Sequence, residues 1–376
     1  MGGGPLRSAS LVEYLARRYA VTVVVFREQG APDPAAAFPS GLVESVHTLE
    51  LPYHSRAVIA RISRNARRWA RRAPPLVDRY SGFEADLAQR IGGRRFELAV
   101  LEHFWCAPYL DLLRPSCRLV LLDLHNVESV LQARSAAVQG WAMARGFRRF
   151  ELAYRDLERT LLPRFDLVLA ASDEDARQVN SIAPGARVAI YPNTIPETAA
   201  LAVAEEDAIV FSGNMEYHPN REAARYFRRR IWPILRVRWP SLEWRLVGRN
   251  PGAVAGFAAG DPRIRVTGPV EDAIAQIARA KLAVVPLLAG SGTRFKILEA
   301  WAAARAVVST SIGAEGLHAR DGEHLLLADE PAAFAEAVSR ALASGALRRS
   351  LGEAGRKLYL EKFTWQAGWR GLDELW

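Results

Sequence analysis

The pattern that most constrains this chain is a repeated alternation. Short β-branched apolar runs end in small or polar residues, and a stretch of helical periodicity follows each. In the first half the runs are Val21–Phe26, Ser45–Leu49, Phe96–Leu101, Arg118–Leu124, Phe165–Ala170 and Val188–Tyr191; in the second they are Ala208–Phe211, Leu242–Val247, Ile264–Val266, Leu282–Leu288 and Ala306–Thr310. Runs apolar on both faces are what buried parallel strands require. Their alternation with helices predicts α/β architecture with doubly wound parallel sheets. At 376 residues the chain is long for one core and suits two domains. The turn-rich Pro192-Asn-Thr-Ile-Pro196 places the boundary, giving domains 1–193 and 194–355, with the last helices at 356–376.

The N-terminus departs from the scheme. Met1-Gly-Gly-Gly-Pro reads as a glycine-rich loop containing Gly3 and Gly4, followed by a helix from about residue 10 to 19 and then the 21–26 strand. That is a βαβ unit lacking its first strand. A single helical stretch is expected over 129–162, and Ser172 with Asp175 reads as a helix capping box rather than a metal site.

No apolar run reaches membrane-spanning length and no secretory h-region is visible; with only two isolated cysteines, the expectation is a cytoplasmic protein. A net charge of +9 draws phosphate-bearing partners, but nearly all the positive charge is arginine, which codon bias also explains. No zinc-finger spacing or ribonucleoprotein motif is present, so nucleic acid is not an expected partner. The helix Arg56–Arg72 interleaves seven arginines with Val58, Ile59, Ile62 and Trp69. It suits either a solvated rim or peripheral contact with an anionic membrane.

Chemistry concentrates in Ala289-Gly-Ser-Gly-Thr-Arg-Phe-Lys-Ile-Leu-Glu299. Strand, small-residue turn and helix aim free backbone N–H groups and a helix dipole at an anion. Arg294 and Lys296 add charge in the first turns. Glu299 lies about six residues into the helix, roughly 9 Å along the axis from its start, where a carboxylate reaches the ribose of a nucleotide whose diphosphate sits at the helix start. Ligands of open parallel sheets bind at the carboxyl ends of strands. That adds Gly213-Asn214, Gly248-Arg249 and Gly268-Pro-Val270 in the second half, and His125-Asn126-x-Glu128 in the first.

These residues resemble a known family. Phe211-Ser-Gly-Asn-Met-Glu-Tyr-His-Pro-Asn220, Gly292-Thr-Arg-Phe-Lys-Ile-Leu-Glu-Ala300, Gly313-Ala-Glu-Gly-Leu317 and Asp123-Leu-His-Asn-Val-Glu-Ser129 are similar to GT-B glycosyltransferases, nearest to family 4, the retaining enzymes of cell-surface glycan synthesis. The resemblance implies two Rossmann-like domains facing across a cleft, with the last helix returning to pack on the N-terminal domain. It makes Glu299 the ribose ligand and gives the diphosphate to the Gly292/Thr293 backbone with Arg294 or Lys296. Val270 contacts the base through its backbone, and His125 faces the transferred sugar, with Glu128 beside it. Ser291 replaces the first of the family's paired glutamates, Gly213-Asn214…His218 replaces its Gly-Arg…Lys, and Ala304-Arg-Ala306 replaces its Gly-x-Pro. Arg294 and Lys296 are therefore expected to take over the phosphate.

The implied activity is metal-independent transfer from a nucleoside-diphosphate sugar to a glycan, lipid-linked or small-molecule acceptor, with no cofactor. The leaving phosphate accepts the acceptor's proton, so the chief demand is stabilising phosphate charge. A soluble natural-product acceptor, a sugar-nucleotide epimerase and a non-catalytic scaffold of the same fold are the alternatives.

Overall fold

The computed structural model describes residues 3–375 except 56, 138–139, 200, 202 and 290–294. Two compact units divide the chain: Ser8–Ile190, and Tyr191–Trp376 together with Met1–Arg7. The split falls within three residues of the expected boundary, but the N-terminal residues belong with the C-terminal unit. Arg7 shows why. Its guanidinium is 1% exposed, donates to the Tyr191 carbonyl at 2.6 Å and to Asn193 Oδ1 at 3.0 Å, and lies 4.5 Å over the Tyr191 ring.

The expected glycine-rich loop is instead the start of a helix, Gly3–Ala16. Gly3, Gly4 and Pro5 occupy its first turn, where the N–H groups have no intrahelical partner and proline is tolerated. Ser10, Leu11 and Tyr14 follow at helical spacing, all buried.

The C-terminal unit is one six-stranded parallel sheet. Its strands are β7 (Glu206–Ser212), β8 (Glu243–Val247), β9 (Ile264–Gly268), β10 (Ala280–Val285), β11 (Ala306–Ser309) and β12 (Leu326–Leu327), in the order β12-β11-β10-β7-β8-β9. Helices cover both faces, which is why β10 and β11 are buried almost throughout and read as unbroken apolar runs. Trp232, Trp244 and Trp301 fill the core without exposure. The last helix, Trp365–Asp373, is grouped with this unit; the chain before it pairs as a bridge, Ile195 with Thr364, and Gly368 lies against Tyr191 and Thr194.

The N-terminal unit differs from the single sheet expected. Strands β1 (Thr22–Glu28) and β2 (Ser45–Leu51) form a two-stranded parallel sheet. Strands β3 (Phe96–Glu102), β4 (Cys117–Leu124), β5 (Leu167–Ala170) and β6 (Val188–Ile190) form a four-stranded one in sequence order. Among the described residues β1 pairs only with β2, and β3 only with β4. No residue of β1 is fully buried, although its sequence reads as a buried strand, and β3 buries only Leu101. A strand hydrogen-bonded on one side only lacks the neighbour whose side chains would cover it. The expected continuous helix is two, Glu128–Ala137 and Trp141–Leu161. Ser172 caps Asp173–Ile182, its hydroxyl accepting from Asp175 N–H at 3.1 Å. Cys106 and Cys117 are free.

Candidate functional site

In the C-terminal unit, glycines bring the carboxyl ends of β7, β8 and β9 together. Gly213 N–H donates to Val247 O at 2.9 Å and Gly248 N–H to Gly268 O at 3.0 Å. Gly248 has φ +140°, and a Cβ there would stand 1.9 Å from the Gly213 carbonyl oxygen. A Cβ on Gly213 would lie 2.9 Å from Asn220 Nδ2 and 3.1 Å from Lys296 Nζ. A side chain at this position would crowd the Asn220 amide and the Lys296 ammonium.

Lys296 is the second residue of the helix Phe295–Ala302. Its ammonium donates to Asn220 Oδ1 at 3.0 Å and sits 5.4 Å from the centre of the Phe211 ring. Asn220 is 4% exposed, and its Nδ2 donates to the Asn214 carbonyl at 2.8 Å. The Asn214 side chain accepts from Glu216 N–H at 3.1 Å and from Asn250 Nδ2 at 2.9 Å. Glu299, one turn after Lys296 on the same helix, accepts from Ser212 Oγ at 3.0 Å. Burial raises its pKa, opposed by that hydrogen bond and by the Lys296 charge. Lys296, Glu299, Gly213 and Asn214 therefore form one network at the end of β7. Arg249 is exposed and Val270 half-buried at the neighbouring strand ends. Ser291, Gly292, Thr293 and Arg294 lie outside the described residues. Asn220 and Ser212, which tie the network together, escaped the sequence reading; the signal was a buried-type asparagine in the first turn of a helix opened by Pro219.

His125 lies just past β4 and is 7% exposed. Its Nε2 stands 3.2 Å from Asp123 Oδ2 and 3.8 Å from Glu102 Oε2. Asp123 is fully buried and pairs in register with Glu102 across β3 and β4, and Glu102 accepts from the Ser8 hydroxyl. The ring packs on His103 at 3.7 Å between centroids, and His103 stacks on Trp105 at 4.0 Å. Glu102, Asp123 and this aromatic stack were not singled out from sequence.

Glu128 opens the helix Glu128–Ala137 and is 3% exposed. Its charge neighbours are Glu158 and Tyr154, within the unit's interior. Burial, then Glu158, pushes its carboxyl up to about 8. The helix is capped from elsewhere: Glu158 accepts from Ser129 N–H at 3.1 Å and from the Ser129 hydroxyl, and burial pushes Glu158 up to about 7. Gly3 and Gly4, expected in a glycine-rich loop, are backbone of the first helix.

Two units built on parallel sheets, one with a polar network at its glycine-closed strand ends, define the GT-B fold. Residues 206–344, within the C-terminal unit, match the family model described as glycosyl transferases group 1. Among solved structures, the sucrose-phosphate synthase of Thermosynechococcus elongatus superposes with a TM-score of 0.73 at 20% identity, covering 100% of this chain and 92% of that one. Anabaena HepE, in complex with UDP and glucose, gives 0.69 at 13% identity over 98% and 95%. WaaG, a glycosyltransferase involved in lipopolysaccharide biosynthesis, gives 0.65 at 14% over 100% and 96%. An uncharacterized 44.6 kDa protein in the cps region of Klebsiella pneumoniae is 24% identical over 138 residues, 35% of this chain and 36% of that protein. The match thus spans about a third of that curated relative.

Proposed function

We propose that this chain transfers a sugar, with retention, from a nucleoside-diphosphate sugar to a hydroxyl acceptor in the synthesis of a cell-surface glycan or lipid-linked saccharide. The observation that carries the reading is the Lys296–Asn220–Gly213 and Glu299–Ser212 network at the end of β7. An ammonium held against a strand end suits a diphosphate, and a carboxylate one helical turn on suits vicinal ribose hydroxyls. The phosphate charge that develops on departure is assigned to Lys296 and to Arg294, the latter outside the described residues, without a metal. In the N-terminal unit His125 is assigned to the hydroxyls of the transferred sugar. The relative in a cps region and the likeness to WaaG support a polysaccharide acceptor.

Peripheral membrane contact belongs to the same reading. On the helix Val58–Arg71, Val58, Ile59, Ile62 and Trp69 are 60%, 83%, 62% and 48% exposed, with arginines between them. Apolar side chains that reach solvent beside cations fit an anionic lipid surface better than a solvated rim. Among the described residues no helix is long and apolar enough to cross a membrane.

Titration with a panel of nucleotide sugars and their diphosphates tests the proposal. Lys296→Ala and Glu299→Ala should each weaken donor binding about tenfold or more, as loss of a charge-assisted hydrogen bond does. A chain that binds no nucleoside diphosphate, or one indifferent to both substitutions, overturns it.

A further inference from the structure

We propose that Asn220 is a positioning residue of the donor site: its side-chain oxygen holds the Lys296 ammonium for a diphosphate without cancelling the charge. This rests on the assignment of the site to a nucleoside-diphosphate sugar. Lysine needs such a device here. Its stem is long and rich in rotamers, and its head is a point charge with no fixed geometry. Lys296 is the second residue of the helix Phe295–Ala302, and Glu299 follows at i+3 on the same face. The two groups already sense each other, since burial raises the Glu299 pKa and the Lys296 charge opposes it. An untethered ammonium is drawn onto that carboxylate, and an ion pair offers a diphosphate far less than a lone cation does.

Asn220 holds the ammonium elsewhere. The side chain is buried, and both ends of its amide are engaged: Oδ1 accepts from Lys296 Nζ at 3.0 Å, and Nδ2 donates to the Asn214 carbonyl at 2.8 Å. Those partners settle which end is which, because an ammonium only donates and a carbonyl only accepts. A flipped amide would face like with like at both ends. The backbone of Asn220 is fixed as well. It lies in the first turn of the helix His218–Tyr226, and its N–H donates to the Tyr217 carbonyl at 2.9 Å. An ammonium carries three donors, so one bond to a neutral oxygen sets its place and leaves its charge uncancelled. The Phe211 ring, 5.4 Å from the ammonium, adds a second neutral contact. A carboxylate at position 220 would grip the lysine more tightly and spoil it for phosphate.

The test titrates UDP, GDP, ADP and dTDP by calorimetry into the full chain, into Lys296→Ala, Asn220→Ala and Asn220→Asp, and into the double alanine variant. Asn220→Ala should weaken the diphosphate that binds about tenfold, the scale of a hydrogen bond to a charged group. In the Lys296→Ala background the same change should cost less than about twofold, because the two residues act as one. Asn220→Asp should weaken binding more than Asn220→Ala, although it is the closer isostere; a merely structural amide gives the opposite order. Additive losses in the double variant, or a milder Asp than Ala, overturn the proposal. Lysine reactivity gives a readout that needs no donor. The chain has four lysines, Lys281, Lys296, Lys357 and Lys362, so acetylation by acetic anhydride can be mapped residue by residue. In the unaltered chain half-buried Lys296 should react more slowly than exposed Lys357 and Lys362, and in Asn220→Ala it should speed up while Lys281 does not change. Equal rates at Lys296, Lys357 and Lys362 in the unaltered chain overturn the tether even if no variant folds. A chain that binds none of the diphosphates overturns the donor assignment and this inference together. One whose binding depends on Lys296 but not on Asn220 overturns this inference alone.

Discussion

Six strands in the C-terminal unit make one sheet, whereas the six described in the N-terminal unit make two. The difference is not one of composition, because β1 is as β-branched as β10. It is one of neighbours. β10 lies between β7 and β11 under helices, while among the described residues β1 and β3 are each hydrogen-bonded on one side only. Burial of an apolar strand is thus a property of the sheet that receives it, not of the strand.

Four tests sharpen or break this contrast. The largest effect is expected at Gly248→Ala, whose Cβ would meet the Gly213 carbonyl at 1.9 Å in a backbone conformation that L residues rarely adopt. A loss of about 4 kcal/mol or more is expected in chemical denaturation. Gly93→Ala in the N-terminal unit, also at positive φ but with nothing within 4 Å, should cost only about 1 kcal/mol. Equal losses would show that the strand ends of the C-terminal unit are not closed as described.

Next comes the core. Leu246→Ala, at a fully buried position of β8, should destabilise by about 2–5 kcal/mol, whereas Leu98→Ala on half-buried β3 should cost less than about 2 kcal/mol. Similar values would mean that β3 is covered after all.

A pH series probes the buried acids of the N-terminal unit. Glu128 has its pKa raised in the folded state, so the folded chain binds that proton more tightly than the unfolded one. Its contribution to stability is complete below the ordinary carboxyl pKa and falls away as pH rises through about 8. Glu128→Gln should flatten the decline measured by urea unfolding between those limits and raise stability above pH 8. A slope from Glu158 remains, since its pKa is also raised. An unchanged profile would sink the assignment of Glu128 to the interior.

The smallest effect is a gain. Ala304 ends the helix Phe295–Ala302 with φ +53°, where the resembling family has glycine. Ala304→Gly should stabilise the C-terminal unit by about 0.5–1 kcal/mol, read as a higher denaturation midpoint.

The C-terminal unit was largely legible from sequence because its strands are covered on both faces and its site residues sit in short contiguous motifs. β12 escaped, being two residues long. In the N-terminal unit the strands themselves were found, but their pairing was not, since strand sequence says nothing of which edges meet. The helix at Gly3 was misread because glycine and proline signal a loop everywhere except in a first turn. Lys296 and Glu299 sit in one contiguous motif that the sequence displays, whereas Asn220 and Ser212 meet them only through the fold. Glu102 and Asp123 meet through strand register, which has no local sequence signature.

The separate β1–β2 pair also sets a clock. Two strands that, among the described residues, pair only with each other can part without disturbing β3 to β6, so their amides need not wait for global unfolding to meet solvent. In deuterium, labelling of residues 22–51 should run ahead of the rest of the chain's strands, and β7, β8 and β10 at the centre of the other sheet should be the last to lose their protons.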